Sequence, residues 1–179
     1  MLGARKGFLS FGSSQATDHE RRTPRAPDQE RQMAGNILVP VGGSTIEPGG
    51  DDEVVRLACQ LGKQMQVRVI FLHVIQVPRS LPVDAEVPEA TRRADEILTL
   101  AEEEAGRQQV QAETALAQAR EIGPAIVNEA ADRQAALIVL AIDPDRSSGS
   151  FHIGQIASYV VEHAPCTVIA HRQALAEQR

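Results

Sequence analysis

The sequence predicts an α/β protein with five strands in an open, mostly parallel sheet that is covered by helices on both faces. Five short apolar runs alternate along the chain with four longer amphipathic stretches. Strands that are joined by crossover helices pair in parallel. The core has to be aliphatic, because the 179 residues include no Trp, one Tyr and four Phe. A chain of this length suits one domain with its own core.

The five apolar runs are short enough to be strands and too short to be the long helices of a globular domain. The second run is apolar on both faces near its end, as a central parallel strand is. The third run alternates with polar residues, which indicates a position near an edge of the sheet. The predicted strands cover residues 36–41, 67–74, 109–116, 136–142 and 166–170.

Four stretches with helical spacing of apolar residues separate these strands. The acidic residues 51–53 open the first helix, where they face the positive end of its dipole. Pro88 suits the first turn of the second helix. The apolar positions are Val54, Ala58, Leu61 and Met65 in the first helix, Ala90, Ala94, Ile97, Leu98, Ala101 and Ala105 in the second, Ile122, Ile126 and Ala130 in the third, and residues 151–164 hold the fourth.

Charge is divided unevenly along the chain. Residues 1–32 hold six basic and four acidic residues, whereas the remainder holds twelve basic and twenty acidic residues. An acidic body argues against a nucleic-acid-binding surface, which needs a basic face.

The ends of the chain differ in composition from the middle. Residues 1–34 are polar and without periodicity, so we predict a disordered N-terminal tail. Met33 stands just before the first strand, so the sequence leaves open a functional tail or a start-site artefact. The domain then covers residues 35–172, and residues 173–179 form a polar C-terminal tail.

No segment predicts insertion into a membrane or secretion. No apolar run approaches the ~18–20 residues that span a bilayer, and the N-terminus lacks the apolar core of a secretory signal. We therefore expect a soluble, cytoplasmic protein. Cys59 and Cys166 are too few for a disulfide framework. We predict that both are packed thiols, with Cys166 opening a buried strand.

Residues 141–156, which include the loop after the fourth strand, should determine any chemistry, because open parallel sheets bind ligands at the carboxyl ends of their strands. The chain contains no P-loop, no dinucleotide-binding glycine motif and no His/Cys cluster at metal-ligand spacing. His73 is the one titratable residue at the end of the second strand, where a structural role is commoner than catalysis. We predict no catalytic residue and no metal site.

Four segments resemble the universal stress protein domain. They are NILVPVGGS (36–44), FLHV (71–74), IVLAI (138–142) and GQIASYVVEHAPCTVI (154–169). The resemblance covers residues 36–172 and implies a Rossmann-like sheet with strand order 3-2-1-4-5, adenine-nucleotide binding and a stress-response role. It also implies a homodimer formed through the last strand, here Cys166, Thr167, Val168, Ile169 and Ala170.

The resemblance also implies where a nucleotide would bind. Members of the family that bind ATP share a pattern of Gly, two residues, Gly, nine residues, Gly and then Ser or Thr. In this chain the spacing falls on Ala141, Pro144, Gly154 and Gln155, so only one residue type is kept. ATP-binding members also tend to have an Asp where this chain has Gly42.

These departures predict a lower affinity for a triphosphate. A phosphate loop aims backbone N–H groups at the anion, and Pro144 has no N–H to offer. Asp143 and Asp145 add carboxylates, and each could oppose a multiply charged group by about 1 kcal/mol or more. We expect weak or absent ATP binding, whereas AMP or adenosine remains compatible with Ser147, Ser148 and the start of the fourth helix.

The candidate nucleotide-binding residues therefore lie at the ends of three strands and at the start of the fourth helix. They are Val41, Gly42, Gly43, Ser44, His73, Val74, Ala141, Ser147, Ser148, Gly154, Gln155 and Ile156.

Our functional hypothesis is a regulatory binding protein, not an enzyme, with a degenerate nucleotide site. It would act as a homodimer on another protein or a transporter, since residues 77–87 look like versions of this domain found alone or fused behind amino-acid and cation transporters. One alternative is a genuine ATP- or AMP-binding member. A remote alternative is an ATP-using enzyme, because residues 42–44 resemble an SGGxDS loop without its Asp. A third is a dimerisation module whose cleft is filled by Val41, His73 or Gln155.

Overall fold

The computed structural model describes residues 35–42, 52–142 and 154–172. Within these ranges, five strands alternate with four helices, as the sequence predicts. The elements are β1 (Asn36–Pro40), α1 (Asp52–Met65), β2 (Val69–Gln76), α2 (Pro88–Gln108), β3 (Ala112–Ala119), α3 (Ile122–Asp132), β4 (Ala135–Ile142), α4 (Gln155–His163) and β5 (Thr167–Arg172).

All five strands form one parallel sheet in the order β3-β2-β1-β4-β5. This order confirms the prediction made from the family resemblance. The central strand β1 pairs with β2 on one side and with β4 on the other, and the carboxyl ends of these three strands therefore meet at the same edge. That edge is where a ligand is expected in an open parallel sheet.

The two faces of the sheet carry separate aliphatic cores. Alternate residues of a strand point to opposite faces, so Ile37 and Val39 pack in the cluster with α1 and α2, whereas Leu38 packs in the cluster with α3 and α4. Phe71, on β2, is fully buried in the first cluster. Each face of the central strands is thus covered, which is why they read as continuous apolar runs.

Three helices are followed by a glutamine in the left-handed conformation, and after two of them the next strand begins later than predicted. Gln66, Gln109 and Gln134 take left-handed conformations with φ of 56°, 59° and 51°. After α2, the N–H of Val110 donates to the carbonyl of Ala105 at 3.0 Å, which closes the helix end. These residues therefore belong to the turns. As a result β2 begins two residues and β3 three residues later than the sequence predicts.

The last strand also differs from its prediction. β5 begins at Thr167, so Cys166 precedes the strand and does not open it. The strand is partly exposed along its whole length and is not buried, because only β4 pairs with it in the described part of the chain. The prediction of a buried strand opened by Cys166 is therefore wrong.

The two thiols differ in their surroundings. Cys59 is fully buried on α1, and burial, with a smaller contribution from the Glu104 carboxylate, raises its pKa to about 11. Cys166 is half-buried against the α3 and α4 cluster, and burial raises its pKa as well. Both thiols pack as predicted.

Arg120 holds the connection between β2 and α2. Its guanidinium donates to the carbonyl oxygens of Val77 at 3.1 Å, Leu81 at 2.6 Å and Pro78. The connection leads directly into α2, which begins at Pro88. One side chain at the end of β3 therefore fixes the path by which α2 reaches the carboxyl edge of the sheet.

An ion-pair network lies at the opposite, amino-terminal edge of the sheet. The Glu113 carboxylate accepts from Arg133 at 2.7 Å and from Arg68 at 3.0 Å. Arg133 also donates to Glu129 at 2.7 Å, and its carbonyl accepts from the Asn36 side chain at 2.8 Å. The network thus ties β1, β2, β3 and α3 together.

This network predicts a pH dependence of stability. Hydrogen bonds from Arg133, and then from Arg68, lower the pKa of Glu113 below its ordinary value of 4.5. The stabilisation of the folded protein by the ionised Glu113 carboxylate is therefore present above pH 4.5. It is lost as the pH falls through the lower pKa of the folded state. Because the pair is exposed, the effect is about 1 kcal/mol at most.

Urea unfolding between pH 6 and pH 3 measures this contribution. We expect Glu113→Gln to make the acid limb of the stability curve shallower, whereas Glu103→Gln, on the exposed face of α2, leaves it unchanged. Equal slopes for the wild type and Glu113→Gln would contradict the prediction.

Within the described residues, no helix combines the length and the apolar composition that crossing a membrane requires.

Candidate functional site

A cleft of about 800 Å³ lies at the carboxyl edge of the sheet. Its floor is formed by the ends of β1, β2 and β4, one wall by α2, and the other wall by the starts of α3 and α4. A volume of this size is typical of pockets for small organic ligands. The lining residues are Pro40, Val41, Gly42, Leu72, His73, Val74, Ile75, Gln76, Ala90, Arg93, Ile97, Ile122, Ile126, Leu140, Ala141, Ile142, Gly154, Gln155, Ile156 and Ala157.

The structure brings the described candidate residues together around this cleft. Val41 and Gly42 follow β1, His73 and Val74 lie on β2, Ala141 lies on β4, and Gly154, Gln155 and Ile156 begin the α4 wall. Four further candidates, Gly43, Ser44, Ser147 and Ser148, lie outside the described residues.

Gly42 and His73 form the centre of the floor. The ring Nδ1 of His73 lies 2.9 Å from the carbonyl oxygen of Val41. A carbonyl only accepts, so Nδ1 carries the proton and donates. Gly42 has a φ of +113°, and a Cβ at this position would overlap the imidazole ring. Glycine is therefore required here both by the backbone conformation and by the close approach of His73.

The same geometry bears on the hypothesis of a filled cleft. Val41 is buried, and His73 and Gln155 line the cleft without closing it. The side chains of these three residues leave the volume open. The hydrogen bond to Val41 favours a structural role for His73, which fixes the end of β1 against β2.

The start of α4 presents backbone to the cleft. Gly154 caps the helix without a side-chain hydrogen bond, and a Cβ added to it would meet no atom of the described residues within 4 Å. The first N–H groups of a helix have no partner within the helix, and they carry the positive end of its dipole. Residues 143–153, which precede this start and include Pro144, Asp143 and Asp145, lie outside the described part of the chain.

Sequence reasoning missed two polar side chains of the cleft, Arg93 on α2 and Gln76 at the end of β2. Ala90, Arg93 and Ile97 share one face of α2, since they follow the i, i+3, i+7 spacing, and all three line the cleft. Arg93 is the single charged side chain among the described lining residues, and Gln76 adds an amide. The helical spacing predicts that Ala90 and Ile97 share a buried face of this helix. Arg93 falls between them on the same face, and this position could have identified it as a candidate lining residue.

The described residues do not form a metal-binding site. They contain no group of three or more His, Cys, Asp or Glu side chains that could hold an ion. Asp143 and Asp145, the one pair of neighbouring acids considered from the sequence, lie outside them.

Solved structures share this architecture. A universal stress protein from Archaeoglobus fulgidus is 23% identical, with a TM-score of 0.65 over 76% of this chain and 97% of that chain. A structure described as the universal stress protein from Archaeoglobus fulgidus in complex with dAMP is 22% identical, with a TM-score of 0.62 over 76% and 96% of the two chains. A family protein from Arabidopsis thaliana with AMP bound is 17% identical, with a TM-score of 0.57 over 81% and 96%. At these identities the likeness establishes the fold.

The family itself is established from the sequence. No curated protein sequence matches the chain. The model of the universal stress protein family, however, matches residues 33–172, which is well over half of the chain. The chain therefore belongs to the universal stress protein family.

Proposed function

We propose that this protein is a regulatory binding protein whose cleft takes an adenine mononucleotide or nucleoside and holds ATP only weakly. The observation that carries the proposal is the open cleft of about 800 Å³, which collects every described candidate residue at one edge of the sheet. Its walls present apolar side chains, with Ile97 on one side and Ile122 and Ile126 on the other. Such walls suit the flat body of a purine.

Neighbouring structures support a mononucleotide as the ligand. Universal stress proteins of the same fold are described in complex with dAMP, with cAMP and with AMP. Each of these ligands carries one phosphate. The cleft of the present chain lies at the carboxyl edge of a sheet with the same strand order as its family, so we place the nucleotide there.

The residues at the family's glycine positions support weak binding of a triphosphate. Ala141 lines the cleft with a Cβ where close approach of the backbone would need glycine, and Gln155 offers no hydroxyl to a phosphate. Gly154 alone keeps its residue type, and the space around it is open. We therefore expect these residues to weaken the binding of the second and third phosphates of ATP more than the binding of the nucleoside.

Titration calorimetry with adenosine, AMP and ATP plus Mg²⁺ tests this proposal. We expect AMP to bind in the micromolar range or weaker, and ATP to bind no more tightly than AMP. Gly154→Val should weaken AMP binding, because its side chain enters open space at the cleft. Gly106→Val, on an open part of α2, is the matched control for folding. Low-micromolar affinity for ATP that exceeds the affinity for AMP, with slow hydrolysis, would overturn the degenerate-site proposal.

We further propose that the protein acts by binding and not by catalysis. The described cleft offers His73 and Arg93 as its ionisable side chains and no nucleophile beside a base. Release of pyrophosphate from ATP with a panel of carboxylate substrates would instead favour the ATP-using enzyme.

Homodimerisation through β5 is part of the proposal. β5 is the edge strand next to β4, and Thr167 and Ala170 on it are exposed. An exposed edge strand with β-branched residues is a template for pairing with a second copy. Through this dimer the protein would regulate another protein or a transporter in the cytoplasm.

Analytical ultracentrifugation at micromolar concentration checks the dimer. We expect a dimer for the wild type and a monomer for Ala170→Lys, because a charged lysine on an edge strand opposes pairing. Thr114→Lys puts the same charge on an exposed position of the other edge strand, β3, and should leave the dimer intact. A wild-type monomer would refute this part of the proposal.

A further inference from the structure

The α2 wall gives the cleft the one charged side chain among its described lining residues, Arg93. Arg93 shares its helix face with Ala90 and Ile97, and all three line the cleft. None of the described lining residues is an Asp or a Glu. Apart from Arg93, the polar side chains of the described lining are those of His73, Gln76 and Gln155.

The carboxylates within reach of Arg93 on its own helix are engaged by its neighbour. Glu89 and Glu96 lie four residues before and three residues after Arg93, spacings at which helical side chains meet. Both pair with Arg92, at 2.5 Å and 2.6 Å. The side chain of Arg93 makes no hydrogen bond or ion pair with the described residues. Glu86 and Glu89 border a separate, shallow depression outside the cleft that Arg93 also reaches.

The described residues across the cleft from α2 carry no charged side chain, since they are Ile122, Ile126 and residues 154–157. Among the described lining residues, the cationic side chain with which a ligand anion can pair is therefore Arg93 on α2. A guanidinium presents several N–H donors in a plane and pairs with phosphate or carboxylate oxygens through two of them.

We propose that Arg93 selects the ligand of the cleft by pairing with its anionic group, so that the cleft prefers a phosphorylated or carboxylated ligand to its neutral counterpart. The inference rests on the proposed function, since it concerns the same cleft. It adds the residue that sets the charge of the ligand.

Titration of AMP and of adenosine into the full-length protein at low salt tests the inference. We expect Arg93→Ala to weaken AMP binding by about fivefold, a size typical of a solvent-accessible charge pair. Adenosine affinity should change by less than about twofold, a shift too small to count as loss of a contact. Arg93→Lys should retain part of the preference. Added NaCl should weaken AMP binding to the wild type but not adenosine binding.

Arg107→Ala is the matched control. Arg107 lies on the same helix, pairs with Glu104 at 3.1 Å, and does not line the cleft. The Arg107→Ala substitution removes the same charge about 21 Å further along the helix axis. The affinity of this variant for AMP should equal that of the wild type.

Each outcome has one meaning. Equal AMP affinity for Arg93→Ala and the wild type overturns the inference and leaves the proposed function standing. Equal losses of AMP and adenosine also overturn it, because they indicate packing and not charge. If the wild type binds neither ligand, the inference and the proposed function both fall.

Discussion

Gly42→Ala is expected to lower the free energy of unfolding by about 2–4 kcal/mol and to abolish ligand binding in the cleft. The backbone at Gly42 has a φ of +113°, which a side chain strains, and the new Cβ would overlap the His73 ring. Relief requires His73 to leave the carbonyl of Val41, which lies 2.9 Å from its Nδ1. Urea unfolding and titration with AMP measure the two effects.

Gly106→Ala is the control for this substitution. Gly106 lies in α2 with a helical backbone, and a Cβ there meets no atom within 4 Å. Alanine should therefore raise the free energy of unfolding by up to about 1 kcal/mol. A Gly42→Ala protein as stable as the wild type would contradict the described geometry of the cleft floor.

Phe71→Ala is expected to be the most destabilising core substitution, at about 3–5 kcal/mol. Phe71 is 0% exposed and pairs in register with Val39 of β1 and Thr114 of β3. It is the one Phe within the described residues, and the other members of its buried cluster are aliphatic side chains and Cys59. Given the usual margin of 5–15 kcal/mol, such a loss removes much of the stability of the domain.

Phe71→Leu keeps an apolar side chain of similar volume and removes the aromatic ring, so it tests whether buried volume or the ring itself is needed. We expect it to cost less than about 1.5 kcal/mol, because leucine fills most of the same space. Urea midpoints, with unchanged slopes, compare the three proteins. Near-equal stability of Phe71→Ala and the wild type would mean that the first core cluster does not depend on this ring.

The fold could be predicted because its strongest signals are redundant. The runs at Leu38, Ile70 and Ile138 are apolar on both faces, and such runs occur where helices cover both sides of a parallel sheet. The stripe from Ala94 to Ala105 gave the second helix its length and its buried face. The strand order needed the family resemblance, since the alternation of elements alone allows other orders.

The element boundaries could not be predicted as well. Helix ends are usually marked by glycine in the left-handed conformation, whereas this chain uses Gln66, Gln109 and Gln134. Glutamine gives no such signal in a sequence. Consequently the starts of β2 and β3 were placed too early, and Gln109 was assigned to a strand although it ends α2.

The site was predicted where it depends on strands and missed where it depends on helix orientation. Gly42, His73 and Ala141 end strands, and the edge to which parallel strands lead is fixed by topology. Arg93 lies in the second turn of α2, the longest described helix, and does not end a strand. Only the rotation of α2 about its axis, which packing determines, brings it to the cleft.

The position of the ion-pair network has a consequence for how the family can diverge. The network joins Arg68, Glu113 and Arg133 at the amino-terminal edge, whereas the cleft occupies the carboxyl-terminal edge. Substitutions at one edge leave the contacts at the other untouched, and their effects on folding should add independently. Natural selection can therefore alter ligand preference in this domain while the groups that tie its strands together are inherited unchanged.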